Sequence, residues 1–242
     1  MSEQGKQGVP PRRRFLQQTL ALIPLAAAGS SGLVSLNGLA ASEKSQGVSA
    51  DYVPTFFNSE EWPFVLAVCD RLIPADEYGP GAVSEGVPVF IDRQMELPYG
   101  YGHLWYMHAP FGSAQPELGY QSALVPRETW RRGIKAVNAR CQKTFHKTFA
   151  ELNAQQQDDI LRRLESGELS FDDVPGSLFF TQMLENCKEG YLADPLHGGN
   201  QTLASWKMIG FPGARADYPQ VMDNPNRPYP LGPVSISGKR SV

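Results

Sequence analysis

One stretch of this 242-residue chain leaves little choice of secondary structure. Trp130, Ile134, Val137, Cys141, Phe145 and Phe149 recur every three or four residues. That spacing stacks side chains on one face of an α-helix and would scatter them over both faces of a strand. Arg131, Arg132, Lys135, Arg140, Lys143 and Lys147 fall elsewhere on the helix and read as its solvated face. The same period recurs along the chain. Asn58-Ser59-Glu60-Glu61 is a start signal in which Asn58 and Glu61 can each satisfy backbone N–H groups of the other's turn. Trp62, Val65, Leu66, Cys69 and Ile73 follow it, and Pro74 ends the run. A shorter helix over roughly 86–95 carries Val87, Phe90, Ile91 and Met95. Asn153 with Gln156 opens another, continued by Ile160, Leu161 and Leu164 and closed near Gly167. A further helix runs from about Pro175 to Tyr191.

Twenty prolines and 23 glycines point to long irregular connections between these helices. Residues 75–82 are too rich in Gly and Pro for regular structure. Residues 97–125 are aromatic and irregular, with Tyr99, Tyr101, Trp105, Tyr106, Phe111 and Tyr120. After residue 191 periodicity nearly vanishes, and Pro219, Pro225, Pro228, Pro230 and Pro233 favour an extended arm over 217–242. The fold expected is all-α: an irregular helical domain with long Gly/Pro/aromatic loops and an extended C-terminal arm.

The N-terminus has a different character. Arg12-Arg13-Arg14-Phe15-Leu16 opens a weakly apolar Ala/Leu/Gly/Ser stretch that ends at Ala40-Ala41, the layout of a secretory signal. Arg12-Arg13 followed by Phe15-Leu16 is the twin-arginine type, which exports proteins already folded. A membrane span would need about 20 consecutive apolar residues. Gln17-Gln18-Thr19, Pro24, Gly29-Ser30-Ser31-Gly32 and Asn37 interrupt the run, so cleavage near Ala40 or Ala41 is expected. The chain thus divides into a signal (1–41), a helical domain (42–216) and the arm (217–242). Without Lys6, Arg12, Arg13, Arg14 and Glu3, the 22 basic and 25 acidic residues fall to 18 and 24. A chain this acidic, with no basic patch, does not suit nucleic acid.

Cys69, Cys141 and Cys187 all sit at core-like positions, and an odd number leaves at least one thiol unpaired. Buried free thiols that pack as small hydrophobes are the favoured reading. If two of them bridge, Cys141–Cys187 is the pair expected.

No familiar catalytic signature is present. There is no Cys-x-x-Cys-His for covalent haem and no Gly-x-Ser-x-Gly elbow, and the glycines of 79–86 do not follow a strand. His103, His108, His146 and His197 are scattered. A self-sufficient periplasmic enzyme would have to draw on His103, His108 or His197 with carboxylates such as Asp92 or Glu96. Two polar loops stand out instead. One runs from Cys69 to Ala82. The other is Asp194-Pro195-Leu196-His197-Gly198-Gly199-Asn200 with Trp206 to Gly213. In the second, Gly198-Gly199 allows close backbone approach, and Trp206 and Phe211 either pack an elaborate turn or anchor a partner protein. On the second alternative the partner-binding residues are Asp194, His197, Gly198, Gly199, Asn200, Trp206 and Phe211.

At these loops the chain resembles the small subunits ("subunit 3") of membrane-bound, flavin-dependent gluconate 2-dehydrogenases, from about Phe56 to Gly213. The resemblance rests on the Glu61–Ile73 helix leading into Pro74-Ala75-Asp76, on Gly79-Pro80-Gly81-Ala82, Phe90-Ile91-Asp92 and Leu152 to Leu164. It also rests on Asp194-Pro195…Gly198-Gly199-Asn200 and on Trp206…Gly210-Phe211-Pro212-Gly213. The resemblance implies a non-catalytic subunit with no catalytic, cofactor or metal residues of its own. Its implied partners are a large FAD-containing dehydrogenase subunit, a multihaem cytochrome c subunit and the twin-arginine translocase, so FAD and haem c would reside in those partners. It further implies that the large subunit leaves the cytoplasm folded and attached to this one, and that the complex sits in the periplasm at the inner membrane.

Overall fold

The structure, a computed structural model, describes residues 51–112, 119–217, 227 and 229–240. Arg12, Arg13, Phe15, Leu16 and the expected cleavage point lie outside the described residues. The helices are α1 (Trp62–Leu72), α2 (Val87–Met95), α3 (Pro126–Phe145), α4 (Ala154–Glu165), α5 (Gly176–Leu192) and α6 (Ala204–Ile209). Single 3-10 turns occupy Phe149–Glu151 and Pro195–His197. Among the described residues there are only isolated β-bridges and no sheet, so the fold is all-α.

α5 is the hub, packing against α1, α2, α3, α4 and α6. Its Phe179, Met183 and Cys187 are fully buried with Phe64, Val65 and Val68 of α1, Ile91 and Met95 of α2, Trp130 and Val137 of α3 and Leu164 of α4. Each large side chain sealed in this way contributes about 1.5–3 kcal/mol. Aromatic contacts run through the middle. Phe64 stacks on Phe179 with centroids 6.0 Å apart, and Trp130 meets Phe179 edge-on at 5.7 Å.

Both expected start signals form. Asn58 accepts from the Glu61 N–H at 2.9 Å while Glu61 accepts from the Asn58 N–H at 3.0 Å, one turn ahead of α1. Asn153 and Gln156 exchange the same pair of bonds at the start of α4. The buried face of α1 differs from the one expected. Phe64 and Val68 are buried with Val65 and Cys69, whereas Trp62, Leu66 and Ile73 are only partly buried. The long stripe of α3 also breaks before its end. His146 takes a left-handed φ of 57° and closes the helix, leaving Phe145 exposed. Phe149 reaches the core only after this reversal, its N–H held by Asn138 at 3.0 Å.

The cysteines correct one expectation. All three are buried free thiols, and the neighbour of Cys187 is Cys69 rather than Cys141. The reason lies in the packing: Cys69 on α1 and Cys187 on α5 face each other across a helix contact, with their sulfurs 3.6 Å apart.

Two polar networks fix the loops. The fully buried Asp92 carboxylate accepts from Tyr52 Oη, Thr55 N, Thr55 Oγ1, Phe56 N and Phe57 N at 2.7–3.0 Å. It therefore ties the segment before α1 onto α2 and has no oxygen left for His103 or His108. Tyr99, in the aromatic loop, accepts at its hydroxyl from Gln182 Nε2 at 2.6 Å and Asn186 Nδ2 at 2.7 Å on α5. Asn186 in turn accepts from Trp130 Nε1 at 3.0 Å.

Replacing Asp92 by Asn keeps the size but turns an amide N–H₂ toward N–H donors. Asp92→Asn should cost about 3 kcal/mol, a fall of roughly 6–12 °C in the melting midpoint followed by circular dichroism. An unchanged midpoint would mean that the buried carboxylate is not holding the segment. Burial pushes Tyr99 up to about 12 and raises Tyr52 and Tyr191 as well. A phenol whose folded pKa is raised favours the fold fully below its unfolded value near 10. That contribution disappears as pH rises from about 10 through the folded value. Alkaline titration should thus show tyrosines that stay neutral past pH 10 and ionise together with loss of helix. If all nine tyrosines ionised near 10 with the helices intact, the buried-phenol account would fail.

Candidate partner-binding surface

The second polar loop folds as a corner at the C-terminal end of α5. Asp194 caps the Pro195–His197 turn by accepting from Leu196 N at 3.0 Å, and its other oxygen accepts from Ile236 N at 2.7 Å. Gly198 takes φ 107°, outside the range of ordinary side chains. A Cβ on Gly199 would stand 2.0 Å from the Gly190 carbonyl oxygen of α5, so only glycine lets the loop lie this close to the helix. Asn200, fully buried, donates to Ala193 O at 3.0 Å and accepts from Ser205 Oγ at 2.8 Å. A second buried carboxylate, Glu85 just ahead of α2, accepts from Thr202 N at 2.9 Å and Thr202 Oγ1 at 2.6 Å. Trp206 on α6 donates its indole N–H to Leu192 O at 2.7 Å and meets the Phe211 ring edge-on at 4.9 Å.

The described end of the C-terminal arm returns to this corner. Val234 bridges Gly213 on one side and Arg240 on the other, and Ala214 N donates to Val234 O at 2.8 Å. The arm is not extended here: residues 234–240 double back in a tight turn, with Ser235 N donating to Lys239 O at 2.8 Å, and are pinned to their own domain.

Of the seven residues expected to bind a partner, Asp194, Gly198, Gly199, Asn200 and Trp206 are buried in the corner's own packing, while His197 and Phe211 are exposed. Around this buried node stand side chains that the sequence reading did not single out. Leu192, Leu196, Met208, Ile209 and Ile236 are all large, apolar and exposed, with Ile209 at 57% and Ile236 at 66%. A six-residue helix is too short to show a period, so Met208 and Ile209 carried no signal of which way they face. The alternative set of loop histidines does not assemble. His103 stacks on Tyr101 and His108 leans on Tyr106, at 5.7 and 4.9 Å between centroids. Among the described residues no three of His, Cys, Asp and Glu are placed to hold a metal ion.

Corner, capped turn and α6 all fall within residues 59–213, the span matched by the family model for gluconate 2-dehydrogenase subunit 3. The chain belongs to that family. It is therefore an accessory subunit of a multi-subunit dehydrogenase complex. No curated protein and no solved structure matches it. The six helices among the described residues lie inside the matched span, whereas the segment held by Asp92 and the returning arm lie outside it.

Asp194→Ala removes a turn cap and the acceptor for the arm at once. It should destabilise the subunit by about 1–2 kcal/mol and expose the Ile236 amide to hydrogen exchange. If Ile236 stayed protected, the arm would be held by something other than this carboxylate.

Proposed function

We propose that this subunit docks through the apolar rim around Trp206 onto a folded, FAD-containing dehydrogenase subunit and escorts it out of the cytoplasm. The observation that carries the docking half is the rim itself: large apolar side chains left exposed on a rigid, hydrogen-bonded corner. Exposed apolar surface of this kind marks an interaction site. Burying it is worth about 25 cal/mol per Å², and the locked backbone beneath keeps the ordering cost low. Asp194, Gly198, Gly199, Asn200 and Trp206 serve this reading as the scaffold, and His197 and Phe211 as part of the contact. The escort half rests on Arg12-Arg13 and Phe15-Leu16. Their twin-arginine pattern calls for a folded cargo, and a chain with no cofactor signature of its own gains a reason to use that route when its partner holds FAD. The twin-arginine translocase would carry the pair to the periplasm, with cleavage near Ala40 or Ala41. A multihaem cytochrome c subunit would then accept the electrons at the inner membrane, and the complex would oxidise a sugar acid of the gluconate type.

The two halves separate experimentally. Met208→Glu with Ile209→Glu should leave the circular dichroism of the subunit unchanged and cut co-purification of the flavoprotein at least tenfold. Undiminished flavin absorbance in that pull-down would rule the rim out as the docking surface. Replacing Arg12-Arg13 by Lys-Lys should strand both chains in the cytoplasm. A dehydrogenase that still reached the periplasm would end the escort role and leave docking untouched.

A further inference from the structure

We infer that Cys69 and Cys187 are a redox pair whose state is fixed as the chain folds: under oxidising conditions a disulfide closes between them during folding, cross-linking α1 to α5 around everything between them, and the folded, reduced pair does not close. Three observations converge on it. The sulfurs are 3.6 Å apart, already in contact across the packed helices. A disulfide needs about 2.05 Å, so roughly 1.5 Å of approach shared between two side chains completes the bond. Both residues are fully buried. And the cysteines stand 118 positions apart, so the bridge encloses α2, α3 and α4 and ties the hub helix to the first helix of the domain. Cys141 on α3 stands outside the pair, and among the described residues the one sulfur–sulfur contact is Cys69–Cys187.

The chemistry is thiol–disulfide exchange with a small-molecule or protein disulfide as oxidant. One cysteine loses its proton to water, and its thiolate attacks the oxidant, displacing one thiolate and forming a mixed disulfide. The second cysteine, likewise deprotonated, attacks the protein sulfur of that bond and displaces the other. The two released thiolates take up the two protons, so the protein pair is oxidised by two electrons and one oxidant disulfide is reduced to two thiols. Every step needs a thiolate that the oxidant can reach. In the folded subunit neither condition holds, because the sulfurs have no solvent exposure and burial pushes the Cys69 thiol well above its usual range. A partly folded chain has no such barrier. The oxidation state of the pair is thus set at folding and sealed afterwards.

The full chain, unfolded and reduced, is refolded by dilution into a glutathione and glutathione disulfide buffer. Folded, reduced chain is held in the same buffer in parallel. Both are quenched with acid, unfolded, alkylated and analysed by mass spectrometry. The refolded sample should be two hydrogens lighter before labelling, yield a linked Cys69–Cys187 peptide, carry alkyl only on Cys141 and melt roughly 5–10 °C higher than the reduced form. The folded sample should take alkyl on all three cysteines for hours. Cys141→Ser should bridge as the wild type does, and Cys69→Ser should not bridge. Three alkylated thiols after oxidative refolding, a bridge that includes Cys141 in the wild-type chain, or closure in the folded sample as fast as in refolding would each overturn the inference.

Discussion

Five donors converge on one buried carboxylate, and the rest of the domain is arranged around that fact. An unpaired Asp92 in the core would cost several kcal/mol. Satisfied by Tyr52, Thr55, Phe56 and Phe57, it becomes the point from which the entering chain is laid down. The bonds to Phe56 N and Phe57 N fix where those two rings go. Phe57 meets Trp130 edge-on at 5.5 Å. Phe56 lies under the guanidinium groups of Arg127 and Arg131, and Arg131 also donates to the Phe56 carbonyl at 2.8 Å. Trp130 then passes the constraint to Asn186 on α5, and Asn186 passes it to Tyr99. α1, α2, α3 and α5 are thereby registered by one continuous set of polar and aromatic contacts, in which each member is satisfied by the next.

Much of this architecture is legible in the sequence, and the division follows the physics. Helices α1 to α5, 9 to 20 residues long, announce themselves because a 3.6-residue period has no strand equivalent, and because Asn58 and Asn153 carry their own reciprocal caps. Rotation of a helix about its axis is harder to read. Trp62, Leu66 and Phe64 are all apolar, and only the packing against α5 decides that Phe64 goes inward. Phe145 and Phe149 sit on one ideal stripe, yet the left-handed turn at His146 sends them to different places. Asp92 and Glu85 were invisible as anchors because a buried carboxylate differs from a solvated one only in its distant partners, and those lie 35–40 and 117 positions away along the chain. The candidate surface was legible in reverse. Asp194, Gly198, Gly199, Asn200 and Trp206 stand out in sequence because of unusual backbone demands, and those same demands bury them.

That inversion is what lets the corner hold apolar side chains out toward water. A surface intended for a partner needs apolar side chains held outward, and nothing inside a short helix such as α6 would hold them. The work falls to the layer beneath. Trp206 is stapled to Leu192, Asn200 to Ala193 and Ser205, Thr202 to Glu85, and the returning arm to Asp194. Each staple is directed inward, which leaves Leu196, Met208, Ile209 and Phe211 facing water on a backbone with little freedom left to lose.

The cysteines connect this architecture to the order of events in the cell. α1 and α5 come together through an apolar contact that contains both Cys69 and Cys187, so the pair is sealed at the same moment as the core. A subunit that completes its fold in a reducing compartment closes over two thiols, and one that folds in an oxidising compartment closes over a disulfide. If the chain is exported folded, the mature subunit should carry the reduced pair into an oxidising compartment and keep it, because the same burial that excludes water excludes the oxidant. The redox state of two buried sulfurs would then record on which side of the membrane the hub helix was packed.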